Sequence, residues 1–260
     1  MRRALPWLGL LLLTVCFVYL VRLPVPESTR RAATARKPIG PVEQTLVVVL
    51  DPGHGGDDSG AMCGNVMEKD LTLDVALRAE LLLRTAGFTT VLTRDSDRYV
   101  SLAERASLSN RTEHSIFISI HFNDGAREAA SGVETYYSPG QANGAAGFLS
   151  WLPFVSQPQN TQLTAASHGL ASCLQGALVQ RTQAVDRGIK QERFYVIANT
   201  GHPAVLVEGG FMTNKSDVTK LTTAEYRQDI ATAVSEGVER YRATTHKSKS
   251  DLAIAAAQPE

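Results

Sequence analysis

The sequence predicts an α/β fold: one domain built on a central, mostly parallel sheet with helices on both faces. Three observations lead there. Two short runs, "TLVVVL" (45–50) and "SIFISI" (115–120), are almost wholly apolar and β-branched, the pattern of strands buried on both faces. Strand-like and helix-like segments alternate from residue 45 to about residue 243. Histidines and acids follow the strand-like runs closely, at the carboxyl ends where parallel sheets bind ligands.

Taken in order, residues 4–21 ("ALPWLGLLLLTVCFVYLV") follow "MRR" and carry no charge. That length approaches the roughly 20 residues that span a bilayer and exceeds the ~7–15 of a signal-peptide core. No small-x-small cleavage site follows closely, and "ATA" at 33–35 lies far downstream. The expectation is an uncleaved signal anchor in an exported, envelope-facing protein, with a cleaved signal peptide as the alternative. Residues 22–44 hold Pro24, Pro26, Pro38 and Pro41 among Arg, Ser and Ala, and read as an extended tether.

The catalytic-sized unit is expected over 45–243. After "TLVVVL", a helix is predicted from about Asp70 to Ala86, with Leu73, Leu77 and Leu81 spaced four apart and Gly87 placed to stop it. A strand "FTTVLT", a short helix around "SLAERASLSN", the strand "SIFISI" and the alternating strand "GVETYY" follow. Residues 138–160, rich in Gly, Pro, Gln and Asn, read as a long loop; within it Phe148, Trp151 and Phe154 either contact a ligand or pack over the core. A helix from about Thr161 to Thr182 leads to strands at "RFYVI" and "AVLVE". The last helix starts near "TTAEY", where Thr222 and Glu225 fit a capping box, and Ile230, Val234, Val238 and Tyr241 trace its inner face. Beyond about Thr244 the core pattern ends, and 244–260 reads as a disordered tail.

Composition narrows the function. Basic and acidic side chains are equal at 26 each, so charge points to no nucleic-acid partner. Cys16 lies in the apolar stretch, and Cys63 and Cys173 are too few to define a disulfide framework.

The chemistry concentrates at three strand ends. His54 follows the first strand within "DPGHGG", His121 follows "SIFISI", and Glu208 ends "AVLVE". Two neutral imidazoles and one carboxylate suit a zinc ion that keeps an open position for water. Glu68, fourteen residues after His54, is the candidate third ligand, brought back over the strand ends by the glycine-rich loop. Glu208 then serves as general base. Each residue also has a plainer reading: a hydrogen-bonded loop histidine, a satisfied core histidine, and an acid at a helix N-terminus. Glu208 is hardest to dismiss, because a carboxylate ending an apolar strand is costly without a partner. On these residues alone a metal hydrolase and the plainer readings stand level.

The segment "VVLDPGHGGDDSGAMCGNVMEKDLTLDVA" resembles the opening of the zinc-dependent N-acetylmuramoyl-L-alanine amidases of the amidase-3 family. The resemblance continues through "VLTRDSDRYVSLAERASLSN", "FISIHFND", "GVETYY", "DRGIKQERFYVI" and "PAVLVEGGFMTN", in the family's order. It implies one zinc per chain held by His54, Glu68 and His121, Glu208 as catalytic carboxylate, and peptidoglycan as substrate. The bond cut would join N-acetylmuramic acid to the L-alanine of the stem peptide. Two rivals remain: a zinc peptidase cutting within the stem, and a silent wall-binding protein that keeps the metal for stability. A protein activator is compatible with the resemblance. Some relatives plug the zinc with an acidic residue after the "ETYY"-like strand; residues 138–185 contain no Asp or Glu, so no such plug is expected here.

Smaller expectations attach to single residues. Asp51 either steadies the ligands through hydrogen bonds or holds the turn, and Asn123 either meets substrate or closes a turn. Arg94 and Arg105 read as structural ion pairs, Cys63 as a poor rival zinc donor, and His202 as structural.

Overall fold

The apolar run at 45–50 becomes β1 (Val47–Pro52), flanked on both sides by parallel neighbours. The computed structural model describes residues 46–141 and 160–256; the expectations for residues 1–44 and for Phe148, Trp151 and Phe154 lie outside them. After β1 come a hairpin of β2 (Met62–Cys63) and β3 (Val66–Met67), helix α1 (Glu68–Thr85), β4 (Thr89–Leu92), α2 (Leu102–Arg111), β5 (Ser115–Asn123) and β6 (Val133–Tyr137). The chain then forms α3 (Thr161–Thr182), β7 (Asp186–Gln191), α4 (Tyr195–Ala198), β8 (Ala204–Phe211), α5 (Lys215–Leu221) and α6 (Ala224–Ala256). The six-stranded sheet has the order β4-β1-β5-β8-β6-β7. Its first four strands are parallel; β6 runs antiparallel to β8, and β7 is parallel to β6.

The two faces of the sheet are unequal. Because strand side chains alternate, Val48, Leu50, Ile116, Ile118, Ile120, Val205 and Val207 all point to one side. There they join Val75 and Leu83 of α1, Leu170 and Leu174 of α3, and Ile230 and Val234 of α6 in the main core. The alternate residues Val49, Phe117, Ala204 and Leu206 face the other side, under a small cluster with Val196 and Ile197 of α4. That thinner face carries the site.

Several local expectations are corrected. "RFYVI" is no strand: Tyr195–Ala198 make one helical turn that buries Val196 and Ile197 on the thin face. The place beside β6 belongs to Asp186–Gln191, an edge strand whose mixed polarity hides it from periodicity. The leucine spacing in α1 does not mark its inner face, since Leu77 and Leu81 are exposed and Leu71, Val75, Ala79 and Leu83 are buried. Gly87 does end the helix, at φ 84°. At α6 the cap is Thr223, whose Oγ1 accepts from Tyr226 N at 3.3 Å, one residue later than the expected Thr222. Helix α6 also continues past Thr244 to Ala256, because "HKSKSDLAIAAA" holds no Gly or Pro to stop it. Cys63 and Cys173 are free thiols. Among the described residues no helix is long and apolar enough to cross a membrane.

Candidate metal centre

The backbone after β1 turns so sharply that His54 itself adopts φ 60°, a left-handed conformation uncommon for a side chain of its size. Gly53 makes room for the approach of β5: a Cβ there would lie 2.2 Å from His121 Cε1. Two buried arginines hold the turn. Arg94 donates to the carbonyls of Pro52 (3.0 Å), Gly53 (2.7 Å) and Lys69 (2.8 Å). Arg105, on α2, donates to Pro52 O at 2.6 Å, His54 O at 2.7 Å and Asp51 Oδ1 at 2.7 Å. Only Arg105 forms the expected ion pair; Arg94 binds carbonyls instead. Asp51 is fully buried and accepts also from Thr93 and Ser119, so it holds the turn and touches none of the candidate ligands.

Glu68 returns to this turn because the β2–β3 hairpin folds residues 61–67 back on themselves. Met62 pairs with Met67, Glu68 N donates to Ala61 O at 2.9 Å, and Lys69 N donates to Ser59 O at 3.1 Å. Glu68 is then 3% exposed at the first residue of α1. Its Oε2 lies 3.1 Å from His54 Nε2 and its Oε1 2.9 Å from His121 Nδ1. Backbone N–H groups of Ala61 and Phe122 donate to the same two oxygens.

The three donor atoms lie within 4.8 Å of one another. Tetrahedral bonds of about 2.1 Å place ligand atoms roughly 3.4 Å apart, so small adjustments of this set would surround a zinc ion. His54 Nδ1 is engaged with Asp58 Oδ2 at 2.9 Å, which leaves Nε2 facing Glu68 and fixes the ring, as a carboxylate behind a ligating imidazole does. Burial alone would raise the Glu68 carboxyl, but hydrogen bonds from His121 and His54 hold it well below the usual carboxylate range. Burial lowers His54, and Glu68 with Asp58 more than offsets it, so the ring sits above its ordinary value. A donor set of an ionised carboxylate and two convergent imidazoles fits a divalent cation. Cys63 is outside the group, as is His202.

Glu208 sits beside this set. In register it lies opposite His121 on β5 and opposite Glu134 on β6, facing the thin side of the sheet. Its Oε2 is buried without a hydrogen-bond partner among the described residues. Burial, then the Glu68 and Glu134 carboxylates, push it well above the usual range. A buried carboxyl with a perturbed affinity for protons beside a candidate metal site is a candidate for acid–base chemistry.

Glu134, which the sequence reading passed over, is 1% exposed, and its oxygens accept from four side chains. These are Asn123 Nδ2 at 2.7 Å, Tyr136 OH at 2.6 Å, Arg187 Nε at 2.7 Å and Lys190 Nζ at 2.5 Å. Asn123 thus holds Glu134. Asp58 was also passed over, although an acid four residues after a candidate ligand histidine in a glycine-rich turn is a legible signal. Glu134 had none, because its two cationic partners come from β7, an edge strand that periodicity does not reveal.

Comparison with known proteins agrees with this geometry. Residues 48–240 match the family described as N-acetylmuramoyl-L-alanine amidase. The N-acetylmuramoyl-L-alanine amidase LytC of Bacillus subtilis is 35% identical over 214 residues, 82% of this chain and 38% of that protein. The sporulation-specific N-acetylmuramoyl-L-alanine amidase of the same organism is 33% identical over 196 residues, 74% of this chain and 67% of that protein. Among solved structures, the catalytic domain of CwlV, an N-acetylmuramoyl-L-alanine amidase from Bacillus (Paenibacillus) polymyxa var. colistinus, superposes with a TM-score of 0.64 at 30% identity; the match covers 76% of this chain and 98% of that one. The CwlD amidase of Clostridioides difficile, solved in complex with the GerS lipoprotein, gives a TM-score of 0.64 at 25% identity over 76% of this chain and 98% of that one. On a match that runs from β1 into α6 and encloses every residue of the site, the chain belongs to the N-acetylmuramoyl-L-alanine amidase family.

Proposed function

We propose that the protein is a zinc-dependent peptidoglycan hydrolase that cuts the amide between N-acetylmuramic acid and L-alanine, with His54, Glu68 and His121 as metal ligands and Glu208 as general acid and base. The observation that carries the reading is the buried, unpartnered Oε2 of Glu208 opposite His121, beside three converging donors. Zinc, favoured here by the nitrogen and oxygen donor set, supplies a polarised carbonyl and a water acidic enough to attack near neutral pH when bound. The chain's own residues do the rest. Glu208 accepts a proton from the attacking water as the new C–O bond forms. It returns that proton to the leaving nitrogen as the C–N bond breaks, giving a lactyl carboxylic acid, which ionises to solvent, and a free α-amine on L-alanine. Asp58 holds His54, and Arg94 and Arg105 hold the turn that presents it. A binding protein that kept the metal for stability would gain nothing from Glu208, whose burial without a partner is destabilising.

Action on peptidoglycan implies an extracytoplasmic location. Attachment to a membrane rests on the uncharged length of residues 4–21 alone, with signal-peptide cleavage as its alternative. An activating partner is a further expectation, because the CwlD relative was solved in complex with a lipoprotein.

The test is a peptidoglycan digest by the zinc-loaded protein, read by mass spectrometry, with chelator and with Glu208→Gln as controls. Stem peptides beginning at L-alanine are expected, lost with chelator and reduced by about 10²–10⁴-fold in the variant. The variant should melt no lower than the wild type, since it removes a buried carboxyl that has no partner at Oε2. Cuts inside the stem would instead identify a peptidase.

A further inference from the structure

Resting on the amidase reading, we propose that Arg187 and Lys190 recognise a carboxylate of the stem peptide and make the enzyme selective for stems that keep it free. The order of groups across the sheet supports this. His121, Glu208 and Glu134 lie side by side on β5, β8 and β6, and Arg187 and Lys190 come from β7 to meet Glu134. The metal ligands stand on one side of Glu208 and the two cations on the other, with neighbouring strands about 4.8 Å apart. One extended residue advances about 3.5 Å. A stem peptide whose first amide lies at Glu208 thus brings the carboxylate of its second residue to the cations. The glycan side of the cut bond is uncharged and has no use for them.

Neutralising Glu134 does not account for the pair. Asn123 and Tyr136 already donate to Glu134, and a single cation would balance its charge. Two cations leave one positive charge in excess. Neither bonds Glu208, whose Oε2 has no partner. Both side chains remain partly open, at 32% for Arg187 and 37% for Lys190, while the Glu134 side chain is buried. Arg187 spends Nε on Glu134 and stacks its guanidinium 4.8 Å over the Phe211 ring, so its two terminal nitrogens make no hydrogen bond among the described residues. Lys190 lies 5.6 Å over the Tyr136 ring and likewise keeps donors unused. Glu134 thus acts as a buried anchor that aims two rigidly held cations at the substrate face, the arrangement that reads carboxylates with geometric specificity.

The test uses the zinc-loaded full chain and two soluble glycan fragments. They differ only in whether the α-carboxylate of the second stem residue is free or amidated. The wild type is expected to cut the free form with about tenfold higher kcat/KM, the effect of one charge-assisted hydrogen bond. In Arg187→Gln, which can still donate to Glu134, that ratio should fall towards one, and Arg187→Lys should restore part of it. Lys190→Met provides a second, independent variant with the same expectation. Equal cleavage of the two fragments by the wild type would overturn the recognition and leave the amidase standing. So would variants that slow both fragments by one factor, the mark of a purely structural role. Cuts inside the stem of either fragment would remove the amidase reading and this proposal with it.

Discussion

Asp58 shows how a single exposed carboxylate can matter at this site. Among the described residues it bonds only His54 Nδ1 and the Gly60 amide, yet it decides which nitrogen of His54 faces Glu68 and Glu208's edge of the sheet. Asp58→Ala should weaken zinc affinity about 10–100-fold while leaving the fold intact, as loss of a group behind a ligand does. Competition with a chromogenic chelator measures it; unchanged affinity would mean that the turn alone orients the ring. Gly60 belongs to the same scale. It has φ 65°, and a Cβ there would sit 2.6 Å from both Glu68 Oε2 and His54 Cδ2, so glycine lets these two candidate ligands close around one point.

At the scale of elements, α2 matters less for its core contacts than for the clamp it carries. Ser101 and Glu104 form a full capping box at its start, which fixes the first turn that presents Arg105. Arg105 is 3% exposed and connects α2 to Asp51, to Pro52 and to the carbonyl of His54 itself. Arg105→Met would keep the apolar volume but leave Asp51 buried without its cation. The expected cost is about 3–5 kcal/mol in urea unfolding, because a broken buried pair strands a charge. A cost under about 1 kcal/mol would show that Thr93 and Ser119 satisfy Asp51 by themselves.

For the whole molecule, charge pairs join elements far apart in sequence. Asp74 on α1 accepts from Arg78 at 2.8 Å and bonds Arg227 of α6. Burial alone would raise Asp74 and Glu134; the hydrogen bonds of Arg78 and Arg227 to the first, and of Lys190, Tyr136 and Arg187 to the second, hold both below the usual range. A depressed folded-state pKa adds stability that is fully present above the unfolded value, about 4 for these acids, and is lost as pH falls through the folded value. Melting of the zinc-free protein should therefore be flat with respect to these groups above about pH 5 and decline below it. Asp74→Asn and Glu134→Gln should each flatten that decline. A decline of the same steepness in both variants would assign acid sensitivity elsewhere.

What the sequence determined by itself is the part of the protein written in local patterns. Unbroken β-branched runs can only be buried strands, so β1 and β5 were legible, as were α3 to the residue and the inner face of α6. The positions of His54, His121 and Glu208 at strand ends were legible for the same reason: the carboxyl edge of a parallel sheet follows from the order of its strands. Tertiary structure decided what depends on partners distant in sequence. It set "RFYVI" as a helical turn and gave the edge to Asp186–Gln191, a place defined only by β6 beside it. It turned Leu77 and Leu81 outward, because a helix with apolar residues on several sides leaves its inner face to the sheet it meets. It assembled Glu134 with Asn123, Tyr136, Arg187 and Lys190 across three strands. A local apolar pattern records where side chains must avoid water; a polar network records which strangers in the sequence become neighbours, and only folding decides that.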